Sequence, residues 1–418
     1  MAPHALVMAL MVPLLTAAWL APVQFHWELG RTAKYLDFNA YILGLAGVAS
    51  FALGSFLVTR FAAGPSALDL DRVAASPSVC RLLRTATWAL FGIAVAAYGL
   101  WFMPVARDPS ILFDVLAGRW YEREIRDTIG TIPGVTTLVQ AQVVYVTLLA
   151  VRWLYLPQAR PSPAEKLALI VIFMLSLLRN LIWSERIAMI EVVVPLAILF
   201  LRRPRWPTLT ALAPLFGFVA LFCFFAVFEY FRSWLAYYQF RYDSFIVFIL
   251  ARLSGYYITA LDNGAGLVGE WGGLAAPLNT ADWFWRFPWE IGQTYLARVF
   301  GIDLVDHATW LYWNASPEFN NTSGIYMPFV DYGAGGGVAF WFLFGMLTGA
   351  LFRGFAAGRL AGLLIYPSWF IGLLELPRIL YLCEARYFPV LMIALGLVFL
   401  ASVVVAGEAR ATPQRRLL

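Results

Sequence analysis

Thirty basic residues stand in this chain, and only Lys34 and Lys166 among them are lysines. Arginine is always charged and grips phosphate or carboxylate oxygens with a planar fork. The placement of Arg179, Arg186, Arg232, Arg241, Arg252, Arg286, Arg298, Arg378 and Arg386 among apolar and aromatic residues points to recognition of an anionic lipid head group. Arg241, Phe245, Phe248, Arg252 and Tyr256 follow one another at four, three, four and four residues, the spacing of one helical face. That stripe predicts a helix over 233–260 holding two arginines about three turns apart. Ser184-Glu185-Arg186 forms a charged link between two apolar stretches, and Arg179 lies two turns before it. Arg378, Glu384 and Arg386 border another such link, where Glu384 reads as an internal partner of the arginines.

Acid–base chemistry has several candidates in Glu229, Asp243, Glu270, Glu290, Asp303, Asp306, His307, Glu318 and Asp331, and spacing does not choose among them. Glu185 and Glu229 stand at the ends of apolar stretches, where desolvation raises a carboxyl pKa. Neither the three histidines (His4, His26, His307) nor the three cysteines (Cys80, Cys223, Cys383) have metal-ligand or disulfide-framework spacing. No metal or cofactor is therefore expected. A net charge of +5 is modest and gives no sign of nucleic-acid binding.

These residues must be positioned by a membrane domain. Hydrophobic residues make up 61% of the chain, charged residues 13%, and mean hydropathy is +0.72. A soluble domain carries about 25% charged residues. Ten spans are predicted, at 5–23, 41–58, 86–105, 138–156, 166–183, 187–201, 208–228, 334–352, 361–380 and 387–406, each near the roughly 20 residues a bilayer needs. The first lacks a basic leader and reads as an anchor. Arginines at 60, 72, 81, 84, 202, 203, 205, 353, 359, 410, 415 and 416 place their loops, and both termini, in the cytoplasm. The expected fold is one all-α polytopic bundle over 1–418, with a large helical extracytoplasmic insertion at 229–333.

Within that insertion, Asp262-Asn263-Gly264 predicts a helix end, 271–280 a loop and 289–300 a further helix. The run 282–289 is rich in tryptophan and phenylalanine and suits either sugar stacking or an interfacial belt. The glycines from Gly333 to Gly337 lack the lysine of a phosphate loop, and Gly345 and Gly349 continue them as a helix-packing face.

Several stretches, in their order, carry a resemblance. They are Lys34-Tyr35-Leu36, then Ser50 to Gly54, the Ser184-Glu185-Arg186 turn, Gly255-Tyr256-Tyr257 with Ala260 to Gly264, and Asn320 to Gly324 followed by Pro328 to Gly333. Over most of its length the chain resembles the bacterial oligosaccharide repeat unit polymerases, the Wzy-type or O-antigen polymerase-like membrane proteins.

The resemblance implies a GT-C-like, metal-independent glycosyltransferase of the inner membrane. It would polymerise polyprenyl-pyrophosphate-linked oligosaccharides on the outer leaflet. Arg186 would act in catalysis with Glu185, Glu229 or His307. Arg179, Arg241, Arg252, Tyr256, Tyr257, Arg298, Arg378 and Arg386 would hold pyrophosphate and sugar. Partners would be the lipid-linked oligosaccharide, membrane lipid, and a chain-length regulator and flippase of the same pathway. A glycan ligase of the same architecture and a lipid-linked oligosaccharide flippase are the alternatives.

Overall fold

The computed structural model describes residues 2–30, 32–61, 64, 66, 68–116, 134–183, 185–202, 207–286, 295, 297–302 and 305–415. Its long elements, with the shorter helices that bear on the site, are α1 (Pro3–Leu20), α2 (Val23–Gly30), α3 (Phe38–Arg60), α4 (Pro77–Trp101), α5 (Ala141–Tyr155), α6 (Pro163–Trp183), α7 (Ile187–Leu201), α8 (Pro207–Glu229), α9 (Phe245–Trp271), α10 (His307–Asn314), α11 (Met327–Ala356), α12 (Leu360–Glu375) and α13 (Phe388–Arg415). Among the described residues there is no strand, only an isolated bridge between Asp69 and Arg359. Nine helices among them are long and apolar enough to cross a membrane, and α7 and α12 are shorter apolar helices. The chain is thus all-helical and of the multi-pass membrane type, as the composition predicts.

Capping residues define several helix starts. Asp37 accepts from Ala40 N at 2.8 Å to open α3, and Ser76 accepts from Val79 N at 3.1 Å to open α4. Lys34 Nζ closes α1 by donating to the carbonyls of Trp19 and Ala21 at 2.5 and 2.7 Å. α7 matches the expected boundaries 187–201.

Two compact units share the chain. Unit 1 comprises Met1–Ala62, Tyr242–Arg353 and Gly372–Phe388, and unit 2 comprises Ala63–Arg241, Gly354–Ile371 and Pro389–Leu418. In unit 1, α3 and α11 approach as closely as backbone allows. A Cβ on Gly54 would lie 2.1 Å from Phe342 O, and one on Gly345 would lie 2.2 Å from Phe51 O. This is the expected small-residue packing. In unit 2, α5 is buried along nearly its whole length, from Ala141 to Arg152.

The region read as an insertion differs from expectation. The helix expected over 233–260 is two pieces: a π-helix at Tyr230–Tyr238 that continues α8, then, after a turn, α9. Arg241 lies in that turn, so the stripe from Arg241 to Tyr256 is broken after its first arginine. Nor does the helix end at Asp262-Asn263-Gly264, since α9 runs on to Trp271. These turn-type residues serve packing instead. Asp262 and Asn263 are buried hydrogen-bonding hubs, and a Cβ on Gly264 would lie 2.5 Å from Thr322 O. Of the helix expected at 289–300, residues 295 and 297–300 are described, and Ala297–Phe300 is α-helical. At 27 residues, about 40 Å, α9 is itself long enough to cross a bilayer. This bears on orientation, because ten crossings return a chain to its starting side and eleven do not.

Candidate functional site

In unit 1, stretches far apart in sequence meet along α9. Asp262 Oδ1 accepts from the backbone N–H of Tyr35 and of Leu36, both at 2.8 Å. Asn263 Nδ2 donates to the carbonyls of Phe319 and Asn321 at 2.8 and 3.0 Å. Ser323 N donates to Arg378 O at 2.8 Å and Gly324 N to Leu376 O at 2.9 Å. Asp331 accepts from the backbone N–H and side chains of Asn279 and Thr280, which fixes the loop before the aromatic run. Buried carboxylates that accept from backbone N–H groups, and an amide that donates to backbone carbonyls, pin loops whose own backbone groups would otherwise lack partners.

This frame holds two of the expected arginines on one tyrosine. The Cζ of Arg252 lies 5.7 Å from the Tyr256 ring centroid and that of Arg378 lies 5.5 Å from it. Arg252 also sits 4.8 Å from the Phe319 ring, and Phe319 meets Tyr256 edge-on. Arg378 interacts electrostatically with Tyr257 and Glu384 as well. Each arginine has a carboxylate partner: Glu318 for Arg252, and Glu375 at 2.8 Å for Arg378.

A second set of charges adjoins Glu384. Asp282 pairs with Arg286 at 2.7 Å and accepts from Ala385 N at 3.2 Å. Burial pushes Glu384 up to about 7, with Asp282 and Glu375 adding to the rise and Arg386 and Arg286 opposing it. Burial and the Arg286 charge lower the pKa of His307, which keeps its imidazole neutral at pH 7. The His307 ring centroid lies 5.3 Å from that of Trp271, and its Nε2 is buried without a hydrogen-bond partner. Arg386 lies 5.9 Å from the Tyr381 ring, and Arg298 is exposed on the short helix Ala297–Phe300. Of the aromatic run, Trp283 stacks on Phe388 at 4.3 Å and Trp285 is buried with its Nε1 donating to Pro277 O. Both rings thus have packing partners within the protein.

The raised Glu384 pKa has a measurable consequence. Between about pH 4.5 and about 7 the folded protein keeps a proton that the unfolded chain has released, so stability falls as pH rises through that window. Glu384→Gln should therefore raise the thermal midpoint at pH 8 and leave it unchanged at pH 5. An equal shift at both pH values would contradict the buried, proton-holding carboxyl.

Unit 2 holds the other expected residues. Arg179 is buried, pairs with Glu185 and lies 4.3 Å over the Trp101 ring. Arg186 pairs at 3.1 Å with Glu229, which is fully buried, and lies 4.5 Å over Phe225. Arg241 is exposed, 5.8 Å from the Tyr238 ring. Beside Arg179 is a buried trio that the sequence reading did not single out: Tyr98 Oη donates to Gln142 Oε1 at 2.7 Å, and Ser176 Oγ donates to the same oxygen at 2.8 Å. Ser176, Arg179 and Trp183 recur at helical spacing on α6, a signal masked by the general apolarity of that helix.

Of the expected arginines, Arg179, Arg186 and Arg241 belong to unit 2, and Arg252, Arg298, Arg378 and Arg386 to unit 1. Arg179, Arg186, Arg252 and Arg378 each face a carboxylate. Glu375 was not anticipated, although its position three residues before Arg378 is the spacing of a helical ion pair. Among the described residues, no three metal-ligating side chains gather. The chain matches no family model, no curated protein and no solved structure.

Proposed function

We propose that this chain is a membrane glycosyltransferase that polymerises polyprenyl-pyrophosphate-linked oligosaccharide units on the outer face of the membrane. The observation that carries the reading is the meeting, along α9, of the segments 35–36, 262–263, 319–324 and 376–378 around the Arg252–Tyr256–Arg378 group. Three of the stretches that give the resemblance its order in sequence are thereby neighbours in space, with 376–378 beside them. In this reading the loop end of unit 1 faces outward.

The chemistry asked of such a site is one substitution at an anomeric carbon. A hydroxyl oxygen of the incoming unit bonds to the anomeric carbon of the growing chain. The bond from that carbon to the lipid diphosphate breaks, and its electron pair leaves on the diphosphate oxygen. Arg252 and Arg378 supply fixed positive charge where that negative charge develops. The hydroxyl proton passes to a base, for which unit 1 offers neutral His307 and the partly protonated Glu384. The aromatic rings around Arg252 exclude water and strengthen its field.

Reconstitution in vesicles with purified lipid-linked repeat units tests the reading. Long glycan should appear on the lipid carrier with no second acceptor present. Glycan transfer only when a lipid A core is added would make the chain a ligase, and movement of intact units across the bilayer with no new linkage would make it a flippase.

A further inference from the structure

Ion pairs in this protein differ in which partner is buried. Arg152 and Glu165 are both buried, while in Arg186–Glu229 and Arg378–Glu375 the carboxylate is the more buried partner. A buried carboxylate cannot leave its cation without stranding a charge, so these pairs are fixed. Arg252–Glu318 is the reverse: the Arg252 side chain is 6% exposed and that of Glu318 is 47% exposed. The guanidinium is walled by Tyr256 and Phe319, and the carboxylate reaches it from the solvent side.

The backbone around Glu318 is held independently of that carboxylate. Asn263 donates to the carbonyls of Phe319 and Asn321, and the N–H of Phe319 donates to Ser316 O at 3.0 Å. The loop therefore stays anchored whether or not the Glu318 carboxylate is on Arg252. A carboxylate and a phosphate present oxygens to a guanidinium fork in the same geometry.

We propose that Glu318 is a displaceable latch which occupies the anion position on Arg252 and lowers the affinity of the site for any phosphoryl anion that must displace it. This rests on the proposed function, whose donor carries a diphosphate. A ligand takes the position only by outcompeting the carboxylate. A diphosphate does so with more charge and with a second phosphoryl group for Arg378, which shares the Tyr256 ring and keeps N–H groups besides the Nη1 held by Glu375. A monophosphate has only the exchange at Arg252 to gain. The latch also keeps the Arg252 charge compensated while the site is empty.

The test is titration calorimetry on the full-length protein in detergent, with inorganic pyrophosphate and inorganic phosphate as probes. Glu318→Gln should bind pyrophosphate about fivefold more tightly than the wild type, the scale of a lost half-exposed ion pair. Its phosphate affinity should rise by a similar factor, because both anions displace the same carboxylate. Glu318→Asp, whose shorter side chain draws the carboxylate back from Arg252, should fall between the two and serves if the glutamine variant folds poorly. Unchanged affinities in both variants, or no pyrophosphate binding in any form, would overturn the latch. Tighter binding in Glu318→Gln without glycan synthesis in vesicles would leave the latch standing and remove the polymerase. Synthesis with unchanged anion affinities would do the opposite.

Discussion

Arg252→Lys should lower the rate of linkage formation from lipid-linked units by about 100-fold, the usual cost of losing one preorganised donor to a developing oxyanion. Lysine keeps the charge and can still meet Glu318, so the thermal midpoint of unfolding should stay close to that of the wild type. The lost property is the planar fork, held here between Tyr256 and Phe319, which a single ammonium cannot reproduce. The loss should appear in kcat/KM, measured with defined lipid-linked donors. A drop of less than about tenfold would remove Arg252 from the reaction and leave it a packing residue. Arg186→Lys is a less direct test of the chemistry, because Arg186 compensates the fully buried Glu229 and its replacement perturbs unit 2.

Glu165→Ala should destabilise the protein by about 3–5 kcal/mol, the range for stranding one member of a buried ion pair. Arg152 is fully buried in α5. Its Nη1 donates to Glu165 at 2.5 Å and to Thr87 at 2.8 Å, and its Nε donates to Ala159 O at 3.0 Å. Glu165 also accepts from Ser162 N at 2.8 Å, so the pair ties the start of α6 to α4 and α5. Equilibrium unfolding in detergent measures the loss. Replacing both partners, as Arg152→Met with Glu165→Leu, should restore much of it, because no charge is then left without its partner. A double variant as unstable as Glu165→Ala would mean that the arginine's other hydrogen bonds, and not its charge compensation, carry the node.

The helical bundle was legible because its signal is long and repeated. Runs of apolar residues with few charges have one physical solution, and α7 is bounded as its sequence predicts. The close-packing face of α11 was legible too, since Gly345 and Gly349 recur at four residues, but the sequence did not name α3 as its partner. The region after α8 was harder. Asp262-Asn263-Gly264 carries turn chemistry, but its side chains find backbone partners in distant loops, and this tertiary demand outweighs local preference. The arginine stripe failed at Arg241 because spacing cannot show where a helix begins. Only after Ser244 does the cap appear, with its Oγ accepting from Val247 N at 3.3 Å.

The candidate site was half legible for a similar reason. Arg252, Tyr256 and Arg378 could be chosen by type and setting, but the sequence does not say that Arg252 and Arg378 share one ring. Nor does it reveal that Glu318 holds the fork of Arg252, because pairing across 66 residues leaves no local trace, whereas Glu375, three residues before Arg378, was there to read. Burial asymmetry, the property that separates Arg252 from Arg186, exists only in three dimensions.

The most direct test counts leaving groups. Vesicles holding the purified protein and radiolabelled lipid-linked units should release one polyprenyl diphosphate for each new glycosidic linkage, on the outward face. Units that accumulate on the far leaflet with their lipid diphosphate still attached, and no linkage formed, would contradict the proposed enzyme.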